Sequence, residues 1–366
     1  MASENASATL NQADDIVPLR EIIKKLVNDE ANFTQEHASH GLNAIINGHS
    51  TEAQQGAFLT ALRLRGIDRR PEILFALANE MYSKAIKPAL SFASGKDYVC
   101  DIVGTGGDGW NTFNVSTAAS IVAAGAGLRI AKHGSRSSSS NCGSADLLES
   151  AGCNLDNVTP EKVNNILNNS NFCFLFAKTF HPSMKFLAKA RQEIGFPTPF
   201  NILGPLTNPT DPKYAVIGVH SLYLGPVMAE TLVMLGRRNH WVVCAECGMD
   251  EITIDGPSHV WKIDSEGKIT HQIIRPADFG LEEYSLDLAS STSLELNIEI
   301  LNKLFDGANS TQRDKAIRSF VLMNAAALLF VSKEGPTLQD CVKLAADSID
   351  SGNARRQLEL FAKSSL

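Results

Sequence analysis

The sequence predicts an α/β fold, with a mostly parallel sheet flanked by helices and a smaller all-helical domain preceding it in the chain. Residues 15–94 carry only helical periodicity, and strand and helix patterns alternate from about residue 97. Several of the strand candidates are near-continuous apolar runs, which is typical of parallel sheets buried on both faces. The chain of 366 residues is long enough for these two domains.

The helical domain is predicted from four amphipathic segments. They cover about residues 16–27, 34–47, 51–66 and 71–87. The third begins with Thr51-Glu52-Ala53-Gln54, a capping-box pattern. A further helix at 183–194 is expected to pack on these four, so the predicted helical domain comprises residues 15–94 plus roughly 181–196. Residues 1–14 are predicted to be a disordered tail.

The α/β domain is predicted to comprise residues 95–180 and 197–366. Apolar strand candidates lie at 98–103, 128–132, 172–177, 214–219 and 240–246. Helical patterns separate them at 116–126, 143–151, 161–168 and 226–236. Residues 259–263 and 269–274 indicate a hairpin, and 294–363 is again helical, with a buried segment at 316–331.

Composition weighs against several classes of protein. The net charge of −7 argues against nucleic acid and anionic membranes as partners, since phosphate-rich surfaces attract basic faces. No apolar run reaches the roughly 18 residues of a membrane span, and the first residues lack a signal-peptide pattern. The seven cysteines show no disulfide framework, so a cytoplasmic protein is expected. In the lone CxxC, Cys244 is predicted to be strand core and Cys247 a loop thiol.

Two loops at the ends of predicted strands have the sequence pattern of anion-binding loops. The first is Gly104-Thr105-Gly106-Gly107-Asp108, followed by Asn114-Val115-Ser116-Thr117 at the start of a helix. The second is Lys132-His133-Gly134-Ser135-Arg136 with four serines after it. Bare backbone and a helix N-terminus suit phosphate oxygens, and ligands of open α/β sheets collect at the carboxyl ends of strands. Together the loops predict a polyphosphorylated substrate, although neither matches a dinucleotide or P-loop motif.

Other residues predict a metal site beside these loops. Asp250-Glu251 follows a strand, and Ser116 offers a hydroxyl, which is a donor set that suits Mg²⁺ together with substrate phosphates. Asp108 would repel phosphate, so it is expected to accept a hydrogen bond from a backbone N–H or to lie near a cation. His133 and His181 are predicted to line the site.

In their order and spacing, these motifs and Gly204-Pro205-Leu206-Thr207-Asn208-Pro209 resemble the anthranilate phosphoribosyltransferases, from about residue 18 to 362. The resemblance implies a fold of the nucleoside phosphorylase/phosphoribosyltransferase type, a homodimer and Mg²⁺. It also implies transfer of the phosphoribosyl group from 5-phosphoribosyl 1-pyrophosphate to the amine of anthranilate. The products would be N-(5-phosphoribosyl)anthranilate and pyrophosphate, in tryptophan biosynthesis.

The resemblance also assigns site residues. Phosphoribosyl pyrophosphate would be held by Gly104, Gly107, Asp108, Thr112, Asn114, Val115, Ser116, Thr117, Lys132, His133, Gly134, Ser135, Arg136, Ser137, Ser138, Ser139, Ser140 and Ser144. Mg²⁺ would be held by Ser116, Asp250 and Glu251. Anthranilate would contact Gly104, Ser135, His181 and Arg191, the last in an Arg-x-x-Ile-Gly pattern whose guanidinium suits a carboxylate. No residue is assigned a proton transfer.

The chain departs from the family pattern at Ser135, where the family carries Asn after Lys-His-Gly. A hydroxyl is shorter and offers fewer donors than a carboxamide, so altered binding of the aromatic acid is expected. Two other functions remain open at this point. One is a pyrimidine nucleoside phosphorylase, whose motifs differ from the second loop here. The other is an inactive relative that binds nucleic acid, which the acidic charge and the largely intact loops disfavour.

Overall fold

The computed structural model describes residues 17–92, 95–136 and 142–366. The predicted tail at 1–14 and the predicted substrate residues Ser137, Ser138, Ser139 and Ser140 lie outside these ranges. The helices are α1 (Leu19–Asn28), α2 (Gln35–Ile46), α3 (Glu52–Leu64), α4 (Pro71–Ser83), α5 (Val115–Gly125), α6 (Ser144–Ser150), α7 (Pro160–Asn169), α8 (Ala177–Phe180), α9 (Lys185–Ile194), α10 (Leu224–Met234), α11 (Leu294–Phe305), α12 (Gln312–Val331), α13 (Leu338–Asp350) and α14 (Asn353–Ser365).

Helices α1 to α4 form a bundle, and α9 packs against it through α3 and α2. The predicted capping box begins α3: Thr51 Oγ1 accepts from Gln54 N (3.3 Å), and Gln54 Oε1 accepts from Thr51 N (3.0 Å). These bonds satisfy two backbone donors that a helix N-terminus otherwise leaves unpaired. Leu187 of α9 is fully buried in the same core cluster as residues of the four helices, so α9 packs on the bundle although it follows β3 and α8 in the chain.

A seven-stranded sheet lies at the centre of the larger, α/β part of the molecule. Its strands are β1 (Cys100–Gly104), β2 (Ile130–Gly134), β3 (Phe172–Phe176), β4 (Tyr214–Gly218), β5 (His240–Ala245), β6 (Ser258–Ile263) and β7 (Ile269–Ile274). Their order is β3-β2-β1-β4-β5-β6-β7. The first five strands pair in parallel, and the predicted hairpin, β6 and β7, continues the sheet in antiparallel pairing.

Both faces of the sheet are covered. Tyr214 and Val216 of β4 join the core under α5, α7 and α11 to α14, whereas Ala215 and Ile217 join the core shared with the helical bundle and α10. This alternation follows from the two-residue period of a strand. Helix α12 is buried along nearly its whole length, which confirms the buried segment predicted at 316–331. None of the described helices is long and apolar enough to cross a membrane.

The strand order places a crevice between β1 and β4. From β1 the chain builds outward through β2 to β3, and then returns to add β4 and β5 on the other side. Open α/β sheets bind ligands at the carboxyl ends of strands where the order reverses in this way. Here those ends are Gly104 and Gly218, which are register partners.

Candidate functional site

The glycine loop after β1 is fastened to the acidic segment after β5. Thr105 N donates to Gly218 O (3.0 Å), and Gly106 N donates to Asp250 Oδ2 (2.6 Å). Asp108 Oδ1 accepts from Trp110 N (3.1 Å), which is the first of the two partners expected for it. Burial, with the Asp250 carboxylate as a second cause, raises the pKa of Asp108 to about 7.

Helix α5 begins at the same edge of the sheet. Asn114 caps it, because its Oδ1 accepts from Thr117 N (3.3 Å). The side chains of Val115 and Thr117 are buried, so they face the core. Ser116 lies between them, and its backbone N–H bonds the Glu251 carboxylate. Burial and the neighbouring Asp250 raise the pKa of Glu251 well above its usual value.

Lys132 is turned inward beneath this edge. It is 1% exposed, and its Nζ donates to Ile102 O (2.6 Å) and to Ser116 Oγ (3.3 Å). Burial lowers the pKa of Lys132, while the charges of Asp101 and Glu251 oppose that shift. Its ammonium is therefore a counter-ion for buried acids. Its predicted contact with phosphoribosyl pyrophosphate stays a prediction.

The second loop begins later than predicted, because Lys132, His133 and Gly134 are the last residues of β2. Ser135 is exposed and its Oγ donates to Arg136 O (2.9 Å). Arg136 forms an ion pair with Glu149 (2.7 Å), and Ser144 is the first residue of α6. Thr112, on the first loop, pairs with Ser290 through an isolated bridge. Both loops thus start from neighbouring parallel strands, at one edge of the sheet.

The Gly204–Pro209 motif orients two histidines. His133 Nδ1 lies 3.2 Å from Gly204 O, and His181 Nε2 lies 3.0 Å from Thr207 O. A carbonyl oxygen only accepts, so each of these nitrogens carries the hydrogen. Burial lowers the pKa of His133 to about 3 and that of His181 to about 4, so both rings are neutral at physiological pH. His133 Nε2 is buried and has no partner among the described residues.

A cavity of about 650 Å³ opens between this motif, the ends of β1 and β2, and helix α9. Its lining includes the four residues predicted for anthranilate: Gly104, Ser135, His181 and Arg191. Burial lowers the pKa of Arg191, yet a guanidinium stays charged under physiological conditions. A second cavity of about 470 Å³ lies beside residues 105–111 of the glycine loop and includes Arg63 and Tyr223.

Sequence reasoning missed Asp101 and Gly218, and it gave no role to Asn208 within the Gly204–Pro209 motif. Asp101 is buried in β1 and accepts from Asn208 Nδ2 through Oδ2 (2.8 Å), which ties the Gly204–Pro209 motif to the sheet. Asn208 also donates to Ala131 O (2.8 Å). Gly218 contacts the acidic segment at the crevice. A charged residue inside an apolar strand and a glycine at a strand end are the sequence signals that point to Asp101 and Gly218.

The donor set suits a magnesium ion bound together with phosphate. Two adjacent carboxylates, Asp250 and Glu251, lie close to Ser116, whose backbone N–H bonds Glu251. A third acid, Asp108, lies close enough to Asp250 for that charge to raise its pKa. The described ranges contain no cluster of three or more His, Cys, Asp or Glu arranged to enclose a metal. Mg²⁺ commonly takes one or two carboxylates and completes its shell with waters and substrate phosphates. The acids whose pKa values are raised also indicate a site short of positive charge.

Comparison with known proteins gives a consistent result. Residues 96–355 match the description "Glycosyl transferase family, a/b domain", and residues 20–85 match "Glycosyl transferase family, helical bundle domain". The chain is 43% identical over 328 residues to the anthranilate phosphoribosyltransferase of Schizosaccharomyces pombe, covering 89% of this chain and 91% of that protein. It is 41% identical over 346 residues to that of Dehalococcoides mccartyi, covering 94% and 97%. The structure resembles the anthranilate phosphoribosyltransferase of Saccharomyces cerevisiae in complex with PRPP and Mg, with a TM-score of 0.85, 32% identity and coverage of 95% and 97%.

Proposed function

This chain belongs to the anthranilate phosphoribosyltransferases, and we propose that the crevice at β1 and β4 holds 5-phosphoribosyl 1-pyrophosphate while the large cavity holds anthranilate. The reaction joins the amine of anthranilate to C1 of the ribose and releases pyrophosphate, a step of tryptophan biosynthesis. The position of Gly104 supports placing the two substrates in adjoining sites. It ends β1 beside the acidic segment and also lines the cavity that contains Arg191.

The donor substrate is assigned to the glycine loop and the start of α5. The loop offers the backbone N–H group of Gly107, and the α5 N-terminus favours negative charge. The neighbouring Gly106 N–H donates to Asp250 Oδ2 (2.6 Å) and so ties the loop to the acidic segment. We assign Mg²⁺ to Ser116, Asp250 and Glu251, where the bound ion would neutralise charge that develops on the departing pyrophosphate.

The acceptor is assigned to the cavity beside α9. Arg191 supplies the cation for the carboxylate of anthranilate, and its planar fork matches a carboxylate in two hydrogen bonds. Ser135 and His181 line the same cavity, with His181 held neutral and fixed by Thr207 O. An aryl amine is a weak nucleophile, so catalysis depends on positioning and on stabilising the leaving group. A neutral, immobilised histidine fits that role without a proton transfer.

The chain is further proposed to form a homodimer and to act in the cytoplasm. Exposed apolar side chains on α1, at the end of α3 and on α9 support the dimer: Val27 is 43% exposed, Leu64 79% and Phe186 40%. Apolar surface of this kind on neighbouring helices favours association. All seven cysteines are free thiols, as expected in a reducing compartment. Light scattering of the purified protein tests the dimer, for which a monomer mass is the contrary result.

One assay tests the reaction. Anthranilate fluorescence should fall when phosphoribosyl pyrophosphate and Mg²⁺ are added, and chelation of the metal should stop the decrease. Phosphorolysis of thymidine or uridine should be absent, which separates the transferase from a nucleoside phosphorylase. Loss of nucleoside without loss of anthranilate would overturn the proposal. A substrate-free control and a heat-inactivated control exclude photobleaching.

A further inference from the structure

The acidic segment rests directly on the ends of two strands. A Cβ built on Gly218 would lie 1.6 Å from Asp250 O and 2.5 Å from Asp250 C. A Cβ on Gly104, its register partner, would lie 2.1 Å from Asp250 Oδ2. Real Cβ atoms essentially never come within 3.0 Å of a heavy atom outside their own residue and its two chain neighbours. The two bare α-carbons therefore form the floor on which Asp250 lies.

The lack of space for a side chain, and not the backbone conformation, explains why glycine occupies positions 104 and 218. Sixteen described glycines adopt positive φ, including Gly106, Gly107 and Gly109 of the glycine loop, but Gly104 and Gly218 are not among them. Both are ordinary strand residues whose φ any amino acid adopts. Only the close approach of Asp250 requires the absence of a side chain at these two positions.

Gly218 also holds the glycine loop. Its carbonyl accepts from Thr105 N (3.0 Å), and Thr105 Oγ1 lies 3.1 Å from His220 Nδ1, two residues beyond Gly218. On the other side, Gly106 N donates to Asp250 Oδ2 (2.6 Å). One residue of β4 thus fixes both the phosphate-facing loop and the main chain of the acidic segment.

We propose that Gly218 is a positioning residue for the magnesium–pyrophosphate site, acting through the main chain of Asp250. The inference rests on the proposed metal role of Asp250 and Glu251 and adds a residue that touches neither metal nor substrate. Its carbonyl oxygen and its α-carbon, which carries no side chain, set the distance between the glycine loop and the acidic segment. A side chain at position 218 would therefore displace the main chain of Asp250 first of all, and so affect metal binding more than it affects the loops that hold the substrate.

The size of the displacement follows from the geometry. To bring the new Cβ to 3.0 Å from Asp250 O, the segment at Asp250 must move by at least 1.4 Å, the difference between 3.0 and 1.6 Å. Metal–ligand distances tolerate only about 0.2 Å, and losing a group that orients ligands typically costs 10–100-fold in metal affinity. A Cβ at position 104 would lie 2.1 Å from Asp250 Oδ2 and 2.8 Å from Asp250 Cγ, so it displaces the proposed metal-binding carboxylate itself.

The experiment measures Mn²⁺ binding directly, since carboxylate sites for Mg²⁺ also take Mn²⁺. Free Mn²⁺ is followed by its electron paramagnetic resonance signal, with pyrophosphate present, for the parent, Gly218→Ala and Gly104→Ala. Gly125→Ala is the matched control. Its Cβ would lie 2.2 Å from Ser348 Oγ and 2.6 Å from Ala354 N at the far end of α5. Gly125→Ala thus introduces a steric clash of comparable size at a position far from the proposed metal site.

Gly218→Ala is expected to bind Mn²⁺ at least about tenfold more weakly than the parent. The Mg²⁺ concentration for half-maximal activity should rise with it. Gly125→Ala should lose thermal stability and keep the parent's Mn²⁺ affinity. Folded Gly218→Ala with parent-like affinity would overturn the inference. If Gly218→Ala fails to fold, Gly104→Ala decides: weaker Mn²⁺ binding supports the shared floor, and unchanged binding refutes it.

An Asp250→Asn variant separates this inference from the function on which it rests. If Asp250→Asn loses Mn²⁺ binding while Gly218→Ala retains it, the positioning role is wrong and the metal assignment stands. If Asp250→Asn binds Mn²⁺ like the parent, the metal assignment itself is wrong. Circular dichroism of each variant establishes that the comparison is made between folded proteins.

Discussion

Replacing Lys132 by methionine removes the one described ammonium that lies buried among the acids of the crevice. Methionine keeps most of the apolar stem, so the change is chiefly one of charge. In the parent, Lys132 Nζ bonds Ile102 O (2.6 Å) and offsets the charges of Asp101 and Glu251. The variant leaves those acids buried without their counter-ion, which predicts a loss of stability that depends on pH.

The magnitude follows from Asp101. Burial raises its pKa from 3.8 to about 6, even with Lys132 opposing the shift. An acid with a raised pKa binds its proton more tightly in the folded state, so its contribution is most favourable at low pH. About 3 kcal/mol is lost as the pH rises from 3.8 to 6, after which the parent's contribution is constant. Without Lys132 the pKa rises further, and the loss continues above pH 6 at about 1.4 kcal/mol per pH unit.

Urea unfolding at pH 6, 7 and 8 measures this slope as the difference between variant and parent, in which titrating groups outside the crevice cancel. The lowered pKa of Lys132 adds to the difference in the same direction, since the parent gains stability with rising pH where this group titrates. Lys132→Met should lose stability relative to the parent as the pH rises from 6 to 8, with a slope of at most about 1.4 kcal/mol per pH unit for Asp101. Glu251 adds to the slope in the same direction. The double variant Lys132→Met/Asp101→Asn should lose most of the pH dependence. Parallel pH profiles for Lys132→Met and the parent would refute the counter-ion role.

Three further predictions concern the substrates and the metal. Asp250→Asn should reduce transferase activity about 100-fold, since a metal's charge stabilisation is worth several kcal/mol, and near-normal turnover would remove its metal role. Ser135→Asn should lower the KM for anthranilate about two- to tenfold, the range of one added hydrogen bond, whereas equal KM values would dismiss the importance of this position. Mg²⁺–pyrophosphate affinity should rise as pH increases through about 7, where Asp108 ionises, and calorimetry in buffers of different ionisation enthalpy should detect proton release. Asp108→Asn should reduce that release by the share of this one carboxyl group, and an unchanged proton count in this variant would contradict the assignment.

Local patterns predicted most elements because their causes are local. The capping box at Thr51 and the apolar spacing of α2 and α3 depend on residues three or four apart. The strand predicted at 98–103 begins later, at Cys100. Tyr98 packs edge-on against Tyr214 (5.0 Å between ring centroids), and Val99 O accepts from Lys213 N. Tyr98 and Val99 are apolar and packed, so their sequence pattern predicted a strand. In the structure they belong to the segment that leads into β1.

The direction of a side chain was harder to predict than its presence. Lys132 is expected in a substrate loop, whereas it lies in β2 and its ammonium donates to Ile102 O on the neighbouring strand. Which way it turns depends on the pleat of β2 and on Asp101, 31 positions earlier. The contact of Gly218 with Asp250 likewise needs the register of β4 against β1 and the path of the chain after β5. Spacing in one sequence carries neither fact.

The electrostatics of the crevice connect these observations. Three acids, Asp108, Asp250 and Glu251, approach one another closely enough that the Asp250 charge contributes to the raised pKa values of Asp108 and Glu251. Lys132 lowers the pKa of Glu251, and its charge is shared with Asp101. The pKa values of Asp108 and Glu251 stay raised, so these acids remain short of positive charge. A divalent cation arriving with pyrophosphate supplies that charge, so substrate and metal stabilise the same arrangement that each needs in order to bind.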